Sequence, residues 1–408
     1  MSATVTSVHG AVAERATERS LRIARASVAA IFFINGAGTA NWLVRIPAVQ
    51  ARLGLSAGAL GLALLGVAVG ALIAMPRTGH LVARYGSRPV TRVGAAAFAA
   101  TLFLPALAPN PFVLVLALVA LGVGHGTLDV AMNAQASTVE RRYGRPIMSG
   151  FHALWSAGGL VGASVGGFVA EHHVGPEQHL VSVALVAGVL GVIVTGGMLP
   201  GHADAATADA APARPRGVLL TLGIMAFCVL LGEGAMADWS ALYLRDITGA
   251  GPGLAAAGYA AFSLAMAGGR FIGDRLTMRM GATTLVRGGG VLAALGLAFA
   301  LGLGVPWAAI VGFAAVGAGF SVAFPLMLAR AGSLPGTSAG TAIATVSVFG
   351  YAGFLAGPPL IGFVSQLVTL RGGLAVVIVT SLLVAALASG RGSRPFQTDD
   401  RRRMTGNE

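Results

Sequence analysis

Twelve stretches of this chain are each about twenty residues long, rich in Leu, Val, Ala, Gly and Phe, and almost free of charge. A helix needs about 20 apolar residues to cross a hydrocarbon core of about 30 Å. A segment inside lipid must also satisfy its own backbone hydrogen bonds, which a helix does. The stretches therefore predict membrane-spanning helices at 26–46, 56–76, 91–109, 111–137, 148–170, 180–199, 217–243, 253–273, 284–304, 306–329, 338–367 and 372–390. Only 10% of the 408 residues are charged, whereas a water-facing domain carries roughly 25%. The first stretch follows Arg15, Arg19, Arg22 and Arg25 as a signal peptide would, but eleven further spans favour an uncleaved first helix.

Lysine is absent, so all 27 basic residues are arginine. That argues against a P-loop, which places a lysine on its phosphates, and against Schiff-base cofactors. An ATP-driven pump and a cofactor are not expected. The net charge of +12 is spread in short clusters between apolar segments, unlike the continuous basic face of a nucleic-acid binder. Cys228, the single cysteine, forms no intrachain disulfide. Gly122-Val-Gly124-His-Gly126 mimics a nucleotide loop but lies inside a span with no strand before it, so that use is rejected. Glu171, His172, His173, Glu177 and His179 lack regular ligand spacing and read as a solvated loop, so no metal is expected.

Twelve spans put both termini on one side. With that side cytoplasmic, only Arg45, Arg52, Arg245 and Arg371 fall outside, so the positive-inside rule predicts cytoplasmic termini. The polar, Ala/Pro-rich stretch at 200–216 reads as a cytoplasmic linker. The expected organisation is a cytoplasmic arm at 1–25, a six-helix bundle at 26–199, the linker, a second six-helix bundle at 217–390 and a cytoplasmic tail at 391–408.

The two halves repeat one pattern. Arg84, Gly86, Arg92 and Gly94 recur 195 positions later as Arg279, Gly281, Arg287 and Gly289. Gly122, Gly124, Met132 and Ala134 recur as Gly317, Gly319, Met327 and Ala329 at the same offset, and so do Ala157, Gly158, Gly167 and Phe168 as Ala352, Gly353, Gly362 and Phe363. Three loci at one offset predict a parallel internal repeat, as in six-plus-six transporters.

These features resemble the major facilitator superfamily over essentially the whole chain. Gly79 to Arg88 (GHLVARYGSR) keeps the glycines and arginines of the superfamily's loop motif, with Ala83 where aspartate is usual, and Gly269 to Arg275 keeps the acid-base pair. The resemblance implies a cytoplasmic latch involving Gly79, Arg84, Gly86, Arg88, Asp274 and Arg275. The stretches from Asn41 to Pro47, His152 to Gly158 and Glu233 to Ser240 are similar to the bacterial YbjJ-like branch, near fucose-permease-type carriers.

Ionisable groups within a span are costly unless they face a partner or a cavity, and each marks a candidate site. His125, Asp129 and Asn133 fall at i, i+4 and i+8 and share a helix face, either lining a cavity or packed as a satisfied stripe. His152, Trp155 and Ser156 share a face of the fifth span, and Gly158, Gly162 and Gly166 form a ladder that suits helix packing. Asn35, Thr39 and Trp42 share a face of the first span, beside Asn41. In the seventh, Glu233 and Asp238 lie about 140° apart around the helix axis. Trp42 and Trp239 suit either a cavity or an interfacial belt. Gly357-Pro358-Pro359 is a candidate hinge in the eleventh span.

A carboxyl shielded from water holds its proton more readily, as a coupling site requires. Asp129 is the first candidate, then Glu233 and Asp238; Asn35, Asn41, Trp42, His125, Asn133, His152, Trp155 and Trp239 are candidate substrate contacts. The expected protein is an all-α, multi-pass transporter of the bacterial cytoplasmic (inner) membrane, monomeric in the lipid bilayer and not an enzyme. It is expected to move a small polar, sugar-like metabolite with protons by alternating access. The alternative is proton-coupled export of drug-like or metabolic compounds.

Overall fold

The computed structural model describes residues 2–55, 57–201, 217–250, 252–389 and 396. The expected linker and tail fall, apart from residues 200, 201 and 396, outside the described residues.

Every described element is an α-helix: α1 (Ser2–Leu53), α2 (Ala57–Tyr85), α3 (Ser87–Leu102), α4 (Leu104–Leu107), α5 (Pro111–Tyr143), α6 (Met148–Glu171), α7 (Pro176–Thr195), α8 (Val218–Asp246), α9 (Pro252–Met280), α10 (Ala282–Leu303), α11 (Pro306–Phe320), α12 (Ala323–Gly332), α13 (Ala339–Leu367) and α14 (Leu370–Ser389). Local signals set the ends. Pro111, Pro176 and Pro306 open α5, α7 and α11, where a missing N–H costs nothing. Asn110 caps α5 by accepting from the Val113 amide at 3.0 Å, and Gly144 ends it in the left-handed region. The backbone of the expected N-terminal arm is helical and continuous with the first span. Helix α13 runs unbroken through residues 357–359.

Two spans are interrupted. The third divides at Phe103 into α3 and α4 beside Pro105, and the tenth divides at Ser321–Val322 into α11 and α12 just before Pro325. Proline offers no N–H to the carbonyl four residues back, which breaks the ladder at that point. Eleven stretches among the described residues are long and apolar enough to cross a membrane. The expected eighth span, in α9, is not among them; Arg270, Asp274, Arg275 and Arg279 crowd the second half of that helix.

The chain divides into two compact units: residues 1–213 with 331–351, and 214–330 with 352–408. Within the first, α1 packs on α6, α2 on α5, and α3 on α5 and α7; within the second, α10 packs on α11 and α14, α9 on α11, and α8 on α14. The same close approaches recur in both. A Cβ on Gly122 would overlap the Val67 carbonyl and one on Gly317 the Phe262 carbonyl, both pairs related by 195 positions; Gly158 meets Phe33 as Gly353 meets Phe227. Gly86 and Gly281, also 195 apart, both begin helices with positive φ, 80° and 78°. The repeat seen in sequence is thus a repeat of contacts. Gly122→Ala and Gly317→Ala should each lower stability by about 1–3 kcal/mol, to a similar extent, as read from thermal unfolding in detergent; one costly and one silent substitution would break the equivalence.

Candidate functional site

In the first unit the polar residues of four spans meet. Helix α1 brings Asn35, α5 brings His125, Asp129 and Asn133, α6 brings His152 and Trp155, and the first half of α13 brings Tyr351. Trp155 Nε1 donates to Asn35 Oδ1 at 2.8 Å, Asn35 Nδ2 lies 3.3 Å from His125 Nδ1, and His125 Nε2 lies 3.0 Å from the Tyr351 hydroxyl. One turn along α5, Asn133 Nδ2 donates to the Asp129 carbonyl at 2.9 Å and to Asp129 Oδ1 at 3.2 Å, while His152 Nε2 stands 3.1 Å from Asn133 Oδ1. Asn35, Asn133 and His152 are buried; His125, Asp129, Trp155 and Tyr351 are half-buried. Asp129 Oδ2 is a buried oxygen with no hydrogen-bond partner, a costly arrangement unless a proton or ligand completes it.

The glycine ladder makes this convergence possible. Gly158 and Gly162 of α6 lie against the backbone at Phe33 and Ala37 of α1, so Trp155 can reach Asn35. Phe32 and Phe98 wall the cluster, their ring centroids 5.2 Å from His152 and 5.9 Å from His125. Asn41 and Trp42 do not join it: both are buried further along α1, and Asn41 Nδ2 donates to the Ala37 carbonyl at 2.8 Å. Arg45, one of the four arginines expected outside the cytoplasmic side, is only 4% exposed and donates through Nε to His179 Nδ1 at 2.8 Å. Glu177 pairs with Arg52.

The second unit holds its own charged pair. Glu233 Oε1 of α8 lies 3.7 Å from Arg270 Nη2 of α9, an ion pair too long to be a hydrogen bond. Arg270, 8% exposed, also donates through Nε to the Ser321 carbonyl at 3.3 Å, and Gly269 lets α9 approach Ser321 closely. That carbonyl is the one Pro325 leaves without an amide, so the arginine supplies the missing donor where the tenth span breaks. Asp238 is exposed; Trp239 is half-buried beside Gly362, its Nε1 without a hydrogen-bond partner.

A family profile described as the Major Facilitator Superfamily matches residues 28–341. The chain belongs to the major facilitator superfamily. It is 38% identical over 359 residues, 88% of its length and 93% of the relative's, to an uncharacterized MFS-type transporter of Yersinia pestis. It is 33% identical to the membrane protein MosC of Rhizobium meliloti, covering 88% of each chain. Among solved structures it shares the fold of the E. coli fucose:proton symporter FucP (TM-score 0.74, 16% identity, 93% of this chain and 100% of that one) and of the proton:xylose symporter XylE (TM-score 0.73, 12% identity, 91% and 95%). This MFS protein is accordingly a multi-pass membrane transporter and not an enzyme.

The loop-motif residues of this MFS chain lie at helix ends. Arg84 is exposed with its guanidinium 5.2 Å from the Tyr85 ring centroid, Gly86 opens α3, and Arg88 is half-buried. In the second unit Asp274 is half-buried and Arg275 exposed. Gly79 is buried at a helix crossing inside the first unit: a Cβ there would lie 2.9 Å from Ala344 Cβ and 3.0 Å from the Gly340 carbonyl, and one on Gly340 would lie 2.6 Å from Val82 Cβ. Arg141 reinforces the attachment of the same stretch, donating to the Gly332 carbonyl, to Ser137 at 3.0 Å and to Thr138 at 2.9 Å.

Tyr351, Arg270 as partner of Glu233, and Glu140 are the site residues that sequence reasoning missed. Glu140 Oε2 accepts from the Ile147 and Met148 amides, each at 2.7 Å, and so anchors the start of α6. Tyr351 had a signal: it stands 195 positions after Ser156, on the repeat of the His152–Trp155–Ser156 face.

Proposed function

We propose that this MFS transporter moves a small polar, sugar-like metabolite together with protons, and that the Asn35–His125–Asp129–Asn133–His152–Trp155–Tyr351 cluster is its binding and coupling site. The observation that carries the reading is a pair of hydrogen-bonded polar chains inside apolar spans, Trp155–Asn35–His125–Tyr351 and His152–Asn133–Asp129, the second ending on Asp129, whose buried Oδ2 has no hydrogen-bond partner. Alternating hydroxyl, amide and imidazole groups suit a neutral ligand rich in hydroxyls, which both gives and takes hydrogen bonds. The likeness to the fucose:proton and proton:xylose symporters is in keeping with that ligand class and with coupling to protons.

Loading or emptying Asp129 changes the charge at the site, and alternating access by the 26–199 and 217–390 halves turns that change into movement across the bilayer. Gly79, Arg84, Gly86, Arg88, Asp274 and Arg275 act as the cytoplasmic gate. Arginine distribution supports cytoplasmic termini, and bacterial relatives support the bacterial cytoplasmic membrane. The working unit is the monomer.

The deciding experiment is proteoliposome flux read with an enclosed pH-sensitive dye while single metabolites and drug-like compounds are added outside. Proton entry accompanying a polyol or sugar supports the reading; proton exit driven by an apolar compound supports export instead. Substrate flux unaffected by an imposed pH gradient overturns coupling. At the gate, Gly79→Leu should reduce flux by roughly tenfold or more at unchanged membrane insertion, because the leucine has no room at the crossing with Gly340 and Ala344. Full flux in that variant removes the crossing from the transport cycle.

A further inference from the structure

The hydrogen bonds that end on Tyr351 run in one direction. An indole N–H donates and cannot accept, so the Asn35 atom 2.8 Å from Trp155 Nε1 is its oxygen. The Asn35 amide nitrogen, a donor only, then faces His125 Nδ1 at 3.3 Å. That ring nitrogen must present its lone pair, and a neutral imidazole carries one N–H, so the proton sits on Nε2 and is donated to the Tyr351 oxygen at 3.0 Å. Charging the ring would place two donors face to face at Nδ1. Turning Asn35 over to relieve them would set its amino group against the indole N–H instead. Asn35 is fully buried, so no water enters to absorb the mismatch.

We propose that Trp155 and Asn35 lock His125 as a neutral donor to Tyr351, so that the histidine positions the Tyr351 hydroxyl and carries none of the coupling proton. The groups around the ring agree with that role. Phe98 of α3 and Tyr351 of α13 flank it, Asn35 of α1 covers Nδ1, and the nearest carboxyl on its own helix face is Asp129, one turn along, which leads through Asn133 to His152. Because Tyr351 accepts from His125, its own proton remains available to a lone-pair oxygen of the substrate, and Asp129 is left as the titrating group. The coupling consequence rests on the transport reading above; the lock does not.

The test is 15N NMR of the full-length chain, histidine-labelled and held in lipid nanodiscs. The His125 resonances are identified among those of the eight histidines by their loss in His125→Gln. The expected signature is a neutral ring protonated at Nε2 that does not titrate between about pH 8 and about pH 5.5, the range over which a free histidine changes charge. Trp155→Phe removes the donor that orients Asn35, and should give mixed tautomers that titrate in this range. Asn35→Asp, of the same shape, accepts on both sides and should draw the proton to Nδ1. A wild-type ring protonated at Nδ1, a charged wild-type ring at about pH 6.5, or an Asn35→Asp ring still protonated only at Nε2 overturns the proposal. If no compound moves protons in the dye assay, the transport reading fails while this signature stands.

Discussion

Asp129→Asn should abolish compound-driven proton movement, by on the order of 100-fold or more, the worth of a positioned proton-transfer group. Exchange of the same compound across the membrane without net proton movement should persist. The substitution is nearly isosteric: the side-chain oxygen facing Asn133 Nδ2, now 3.2 Å away, is kept, and only the group at the unpartnered Oδ2 changes. Aspartate alternates between a charged and a neutral form, so it can bind differently to the two access states; asparagine is permanently neutral and biases them equally at every pH. Dye-monitored flux and counterflow of labelled compound, both in proteoliposomes, separate coupling from binding. Proton flux equal to wild type returns Asp129 to a structural role and moves the coupling proposal to Glu233 or Asp238. Loss of both activities makes it a binding residue instead.

Arg270→Met should be the most destabilising substitution in the second unit, costing about 3–5 kcal/mol in thermal unfolding of the purified protein. Two groups lose their partner at once: Glu233, a carboxylate 3.7 Å from the guanidinium, and the Ser321 carbonyl, which receives the Arg270 N–H at 3.3 Å. Each loss can be repaired separately. Glu233→Gln in the Arg270→Met background removes the stranded charge and should recover most of the deficit. Pro325→Ala in that background restores an amide opposite the Ser321 carbonyl and should recover about 1 kcal/mol, the net worth of one hydrogen bond. Non-additivity in the resulting cycles measures the coupling. A loss below about 1 kcal/mol for Arg270→Met, within the range of ordinary surface changes, or no gain from either repair, would show that the break in the tenth span is held by other groups.

All but one of the spans, their order and the repeat were legible without coordinates because each depends on local composition or on a fixed offset. A run of about twenty apolar residues can only be a helix in lipid, and the expected fifth span, 148–170, matches Met148–Glu171. The i, i+4, i+8 spacing likewise placed His125, Asp129 and Asn133 on one face, since 3.6 residues per turn is a property of the helix alone. Where local chemistry competes, expectation and structure part. Helix α13 runs unbroken through residues 357–359, where the sequence suggested a hinge. Pro105 and Pro325, neither singled out, mark the two interrupted spans.

Which polar residues meet is a different kind of fact. Asn35, His125, Trp155 and Tyr351 come from four spans, and Tyr351 follows His125 by 226 positions. Only the depth at which Gly158 and Gly162 let α6 sink onto α1, and the seating of residues 331–351 in the first unit, bring them into hydrogen-bonding range. Arg45 took His179, 134 positions away, as its partner; Arg270 took a carbonyl that exists as an open acceptor only because Pro325 breaks a helix in another span. By itself the sequence determined that this chain must cross a membrane as a duplicated bundle with a few expensive polar groups inside. The tertiary structure alone decided which of those groups share one site, because in lipid a buried polar atom is satisfied by whatever partner the packing of small residues places within about 3 Å.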